Sequence, residues 1–206
     1  MATPEFPKRD PASREFWDLR YEARFVPWDA GRVPYRLREF VTASTGPRRT
    51  LVPGCGSAWD VLFLAQSGWD VTGIDFSGEA VAAARAVLGD YAGRVRQADV
   101  FTAIGGEPFE VVYERAFLCA LPRRMWGDWS RRMGELVAPG GELAGFFYFD
   151  AGDRGPPFPL HSRDELDALL APAFERVEDA AVADSIPVFE GKERWQVWRK
   201  RQDSSS

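Results

Sequence analysis

Residues 51–75, LVPGCGSAWDVLFLAQSGWDVTGID, decide the fold. They read as strand, glycine-rich turn, helix and second strand. Leu51-Val52 is a short apolar run that stops at Pro53-Gly54-Cys55-Gly56. Val61, Leu62, Leu64 and Ala65 give the next segment a helical apolar face, which Gly68 closes. A second strand, Val71 to Ile74, ends on Asp75. In an open parallel sheet, ligands bind outside the carboxyl ends of the strands. Gly54 and Gly56 let the backbone approach a ligand because no Cβ intervenes. Asp75 can accept hydrogen bonds from two vicinal hydroxyls, as on a ribose. The pattern predicts a nucleoside-cofactor site.

The turn also discriminates between nucleosides. A dinucleotide fingerprint, G-x-G-x-x-G, needs its third glycine at position 59. Trp59 stands there, too large for close helix-to-strand approach and positioned to crowd a pyrophosphate. S-adenosylmethionine carries no phosphate, so its loop needs close backbone approach and no anion cradle. A lone G-x-G after a strand is equally an ordinary tight turn. Asp75 at the end of the following strand tips the reading toward the cofactor.

Composition narrows the class. A chain of 206 residues, 45% hydrophobic, is long enough for one domain with a full core. Apolar runs fall short of the roughly 18 residues a membrane span needs, and the N-terminus lacks the apolar stretch of a secretory signal. A net charge of −5 argues against a nucleic-acid partner. Cys55 and Cys119 offer neither a disulfide framework nor paired metal spacing, and both read as packing residues. His161 is the only histidine, which excludes histidine-based metal sites and Ser-His-Asp triads; no metal is expected. These features point to the cytoplasm and leave the oligomeric state open, a monomer included.

Outside the opening motif, residues 1–12 read as a flexible start. Residues 13–45 read as a helical cover carrying Trp17, Tyr21 and Trp28, and 13–200 as a single domain. A disordered tail is expected at 201–206. Ser77 caps a helix through Leu88. Strands follow at Val95–Ala98, Phe109–Tyr113 and Glu142–Phe149. The helix between the last two is expected over about Arg123–Val137, closed by Ala138-Pro139-Gly140-Gly141. The pairs Arg123-Arg124 and Arg131-Arg132 read as a solvated helix face. Ser162-Arg163-Asp164-Glu165 is a capping box. Phe174–Ala183 and Glu193–Arg199 suit an antiparallel hairpin. The order implies an α/β, doubly wound, Rossmann-like sheet, mostly parallel with an antiparallel C-terminal hairpin and helices on both faces.

Several segments together resemble the thiopurine S-methyltransferase superfamily, including its thiol and halide methyltransferase branches. They are Pro27-Trp28-Asp29, LVPGCGSAWD (51–60), GID (73–75), Asp99-Val100-Phe101, FEVVYERAFLCAL (109–121), GPPF (155–158) and GKERWQVW (191–198). The likeness spans roughly residues 14–200. It implies a class I S-adenosylmethionine-dependent methyltransferase in which Gly54 and its neighbours border the methionine portion, Asp75 binds the ribose, and Asp99 and Val100 flank the adenine. It also implies that Trp17, Tyr21 and Trp28 cover the sulfonium, with core packing at helical spacing as the alternative. A stiff lid at Gly155–Phe158 is a further implication, with a plain connecting loop as the alternative. Ala58 stands where some family loops carry a further glycine.

Arg115 follows the fourth strand where the halide branch carries tyrosine and thiopurine-type enzymes carry arginine. A guanidinium there attracts an anion and favours a thiolate; the alternative is an ion pair with Glu114 or another surface acid. A thiol needs little general-base help, so the lack of a catalytic histidine is no objection. The expected reaction moves a methyl group to the sulfur of a small-molecule thiol or anionic acceptor. A halide or thiocyanate methyltransferase is the alternative, and a non-catalytic cofactor-binding protein is a third reading.

Overall fold

The computed structural model describes residues 4–202. The ends expected to be flexible therefore lie partly outside the described residues, at 1–3 and 203–206. One sheet has the strand order β3-β2-β1-β4-β5-β7-β6. Its members are β1 (Arg49–Pro53), β2 (Asp70–Asp75), β3 (Val95–Gln97), β4 (Phe109–Arg115), β5 (Val137–Tyr148), β6 (Phe174–Ala181) and β7 (Glu193–Lys200). The first five run parallel, while β7 lies antiparallel to both β5 and β6. The helices are α1 (Arg14–Glu22), α2 (Tyr35–Ala43), α3 (Trp59–Gln66), α4 (Gly78–Leu88), α5 (Trp126–Leu136) and α6 (Arg163–Leu170). The doubly wound fold expected from the sequence is the fold observed.

Alternation along each strand divides the core in two. On one face, Val61 and Leu64 of α3 and Val81 and Ala84 of α4 pack on Val71, Val111, Tyr113 and Phe146. On the other, Trp129 and Met133 of α5 and Leu166 and Leu170 of α6 pack on Leu51, Val112, Leu143 and Phe147. Tyr113 and Arg115 thus share the α3 face, whereas Glu114 points to the other side. The strand order reverses between β2 and β4 around β1, which opens the crevice at their carboxyl ends.

Two expectations require correction. Ala138-Pro139-Gly140-Gly141 does not merely close a helix. Val137 already pairs with Phe109, and regular pairing resumes at Glu142 opposite Val111, so the segment is a bulged opening of β5. The arginine pairs are not a uniformly solvated face either. Arg123 engages Glu165 and the Pro159 carbonyl, and Arg132 donates to the carbonyls of Val100 and Ile104. Ser162 does cap α6, its hydroxyl accepting from Glu165 N at 3.2 Å. The Glu165 carboxylate reaches His161 N at 2.8 Å in place of Ser162 N.

Candidate active site

A cavity of about 330 Å³ opens at the carboxyl edge of β1, β2 and β4, within the ordinary size range of small-molecule pockets. Its floor is the turn after β1. Gly54 and Gly56 take the left-handed conformation, with φ of 59° and 52°. A Cβ on Gly54 would come within 2.5 Å of the Phe117 ring, and one on Gly56 within 2.7 Å of the Tyr21 hydroxyl. Both positions favour glycine by conformation, and Gly54 also by space, because the Phe117 ring stands where a Cβ would go. Ala58, just before α3, also has a positive φ of 64°, the conformation that the further glycine of some family loops would adopt without strain.

Asp75 ends β2 in the cavity wall. Its Oδ2 accepts from Gly56 N at 3.1 Å and its Oδ1 from Ser77 N at 2.9 Å. Burial still pushes its carboxyl up to about 6, against the pull of these two donors. Ile74, Ala98, Val100 and Phe101 form an apolar slot beside it. Asp99 lies at the same edge, its carboxylate accepting from Phe101 N at 2.9 Å.

The cover comes from the N-terminal segment. Trp17 and Trp28 meet edge to face at 5.4 Å, and Tyr21 and Trp28 at 6.2 Å. All three rings line the cavity. Trp17 Nε1 donates to the Pro11 carbonyl at 2.8 Å, so residues before α1 share the wall. Ser77 Oγ bonds the Asp18 carboxylate at 2.6 Å, fastening α1 beside Asp75. Arg32 bonds the Asp184 side chain at 2.9 Å and its carbonyl at 2.6 Å, joining the cover to the β6–β7 loop. That loop adds Val188 and Phe189, and Pro156 and Pro157 add a further edge.

Arg115 does not pair with Glu114. The Glu114 side chain is buried on the opposite face of the sheet, where it accepts from Phe117 N and Leu118 N at 2.8 and 3.0 Å and shapes the turn after β4. Arg115 instead stacks on Phe146, 4.2 Å from the ring centre, and its Nη1 lies 3.6 Å from Glu193 Oε1. Asp60, in the first turn of α3, and Tyr113 complete a buried polar cluster that sequence reading missed. Asp60 Oδ1, Tyr113 Oη and Arg115 Nη1 have no hydrogen-bond partner among the described residues. Burial pushes the Asp60 carboxyl up to about 6, opposed by Arg115 and Tyr113. Cys55 and Cys119 also line the cavity, but burial raises both thiols, consistent with packing roles.

The structure thus brings Gly54, Gly56, Asp75, Asp99, Val100, Trp17, Tyr21, Trp28 and Arg115 to one cavity. The chemistry of this lining fits S-adenosylmethionine: bare backbone, a buried carboxylate, an apolar slot and aromatic faces for a sulfonium. The thiopurine S-methyltransferase family matches residues 12–202 of the chain. The chain belongs to that family. Among its relatives is thiocyanate methyltransferase 1 of Arabidopsis thaliana, 32% identical over 191 residues, covering 89% of this chain and 84% of the relative. The thiopurine S-methyltransferase of Pseudomonas fluorescens (strain SBW25) is 31% identical over 177 residues, covering 76% and 81% respectively. The fold matches the 1,6-didemethyltoxoflavin-N1-methyltransferase of Burkholderia thailandensis, solved with S-adenosylhomocysteine, at a TM-score of 0.70. That match is 20% identical and covers 98% of this chain and 95% of the other. As a family member, the chain is an S-adenosylmethionine-dependent methyltransferase. Among the described residues, no helix is long and apolar enough to cross a membrane.

Proposed function

We infer that the protein methylates the sulfur of a small-molecule thiol or thiolate. The observation that carries this reading is Arg115, a half-buried guanidinium that lines the cavity. A fixed positive charge beside an acceptor lowers a thiol's pKa by favouring its thiolate. Thiolate, not thiol, is the nucleophile. Relatives named as a probable thiol methyltransferase and as thiopurine S-methyltransferases support the same acceptor class.

In this reading Asp75 accepts hydrogen bonds from the ribose hydroxyls, while Asp99 and Val100 flank the adenine. Gly54 and Gly56 let the backbone approach the methionine portion. Trp17, Tyr21 and Trp28 turn aromatic faces to the sulfonium, worth about 0.5–2 kcal/mol depending on desolvation, and exclude water. The bound S-adenosylmethionine supplies an electrophilic methyl group. Arg115 holds the acceptor sulfur as its anion, in line with that methyl, where orientation alone contributes about 7–11 kcal/mol in favourable cases. Direct displacement leaves no enzyme-bound intermediate, so the transfer needs no covalent nucleophile from the lining.

The test is S-adenosylhomocysteine formation with hydrosulfide, aliphatic thiols, aromatic thiols, thiocyanate and iodide. Thiols turned over well above iodide support the inference; preference for iodide or thiocyanate over every thiol overturns it. Arg115→Met should spare cofactor binding and slow transfer to weakly acidic thiols most, by about tenfold or more. An equal loss with every acceptor would mark Arg115 as structural.

A further inference from the structure

We propose that Glu193 sets which acceptors this site prefers, by offsetting the charge that Arg115 presents to the cavity. The proposal rests on the reading of Arg115 as the acceptor-facing cation. β7 runs antiparallel to β5, so its first residue arrives at the carboxyl edge of the parallel strands. There Glu193 Oε1 stands 3.6 Å from Arg115 Nη1. That separation gives a strong charge interaction but is too long for a hydrogen bond. Ser185 Oγ donates to the same carboxylate oxygen at 2.9 Å, holding it in place. Arg115 is therefore fixed by stacking on Phe146 and by the charge of Glu193.

The charge balance follows from the groups around the pair. Arg115 faces Tyr113, Glu193, Asp60 and Asp184, and Glu193 faces Arg115, Ser185 and Asp184. Asp184 is already paired with Arg32. Asp60 lines the cavity half-buried and lies beyond ion-pair distance of Arg115. Desolvation opposes ionisation of Asp60 and of Glu193 alike, and in Glu193 Arg115 and Ser185 oppose that effect. Glu193 is thus the acid held closest against the guanidinium. With the two charges nearly cancelling, a neutral thiol enters as readily as an anion. With Glu193 neutral, Arg115 would present a full positive charge inside a low-dielectric pocket, where charge interactions are strongest. Permanent anions would gain, and bound thiols would ionise at lower pH. Glu193 acts through Arg115 and is a positioning and selectivity residue, not a catalytic one.

The experiment compares kcat/KM for thiocyanate, a permanent anion, with that for a neutral aliphatic thiol at pH 7. The proteins are the natural chain, Glu193→Gln, Glu193→Asp and Arg115→Met, with S-adenosylhomocysteine affinity as the folding control. Glu193→Gln should raise the thiocyanate-to-thiol ratio by about tenfold and move the thiol pH profile about one unit toward acid. Glu193→Asp, which keeps the charge, should return the ratio close to the natural value. Equal loss with both acceptors in Glu193→Gln, with an unmoved pH profile, overturns the proposal. If Glu193→Gln does not fold, Ser185→Ala replaces it. Loss of the hydroxyl that favours the ionised carboxylate should shift the ratio the same way by a smaller factor, and an unchanged ratio overturns the proposal. Arg115→Met separates the two readings. If it alters neither acceptor, the acceptor role of Arg115 has failed; if it acts selectively while Glu193→Gln does not, only the Glu193 assignment has failed.

Discussion

Asp75 carries two demands that pull in opposite directions. Burial favours its neutral form, with a pKa pushed up to about 6, while ribose hydroxyls are best accepted by its ionised form. Cofactor binding should therefore release a proton from Asp75. Affinity for S-adenosylhomocysteine is then full above pH 7 and falls as pH drops through about 6, approaching tenfold per unit. Calorimetric titration between pH 5 and 8 reads this directly. Asp75→Asn should bind weakly and with a flatter profile, which separates Asp75 from Asp60, titrating in the same range. A natural protein whose affinity is constant from pH 7 to pH 5 would remove Asp75 from the ribose. This residue was legible because Gly54, Gly56 and Asp75 lie in one strand-turn-helix-strand unit whose geometry follows from local pattern. Asp60, Tyr113 and Glu193 were not. An acid in the first turn of a helix reads as an ordinary complement to the helix dipole, and a glutamate opening an edge-side strand reads as solvated. Only closure of the sheet around β4 and β7 gathers them about Arg115.

Among the elements, α1 and α4 show how a cap becomes part of a site. Ser77 Oγ accepts from Ala80 N at 3.0 Å, capping α4, and meets Asp18 of α1 at 2.6 Å. Ser77→Ala should cost about 1 kcal/mol through the lost cap and should raise amide exchange in both α1 and the first turn of α4. Asp18→Ala should raise exchange in α1 alone. Exchange that rises in α4 but not in α1 for Ser77→Ala would show that the cover is held by its aromatic contacts instead. The cap itself was readable, as was the one at Ser162, because a serine before an apolar periodic run has few other uses. The boundary between α5 and β5 was not. Pro139-Gly140-Gly141 punctuates a helix and a bulge with the same residues, and the pairing of Val137 with Phe109 is a long-range fact. The antiparallel hairpin was recognisable from two apolar stretches. That β7, the later strand, inserts between β5 and β6 determines where Glu193 falls, and no local pattern encodes it.

For the whole molecule, acids that lose water on both faces of the sheet are a source of instability that depends on pH. Burial raises Asp60 and Asp75 to about 6 and Glu114 to about 7. Each binds a proton more readily in the folded chain than in the unfolded one. The native state therefore gains protons between the unfolded and folded pKa values, and stability falls as pH rises through that window. Asp10, Asp150 and Asp184 are lowered by hydrogen-bonding or charged partners. Their contribution is complete above the usual carboxylate range and is constant from pH 5.5 to 7.5. The cofactor-free protein should accordingly be more stable at pH 5.5 than at pH 7.5, by about 1–3 kcal/mol, in urea unfolding at the two values. Glu114→Gln keeps an acceptor for Phe117 N and Leu118 N and should flatten this slope most, because Glu114 is raised furthest into the window. Saturating S-adenosylhomocysteine should shrink this difference by about 1 kcal/mol, since its hydrogen bonds hold Asp75 ionised and remove that residue's share while Asp60 and Glu114 keep theirs. A cofactor-free protein that gains stability from pH 5.5 to 7.5 would mean that water reaches these carboxylates. The smaller slope with ligand ties the ionisation of Asp75 to occupancy of the cavity, because ligand leaves the other two acids as they were.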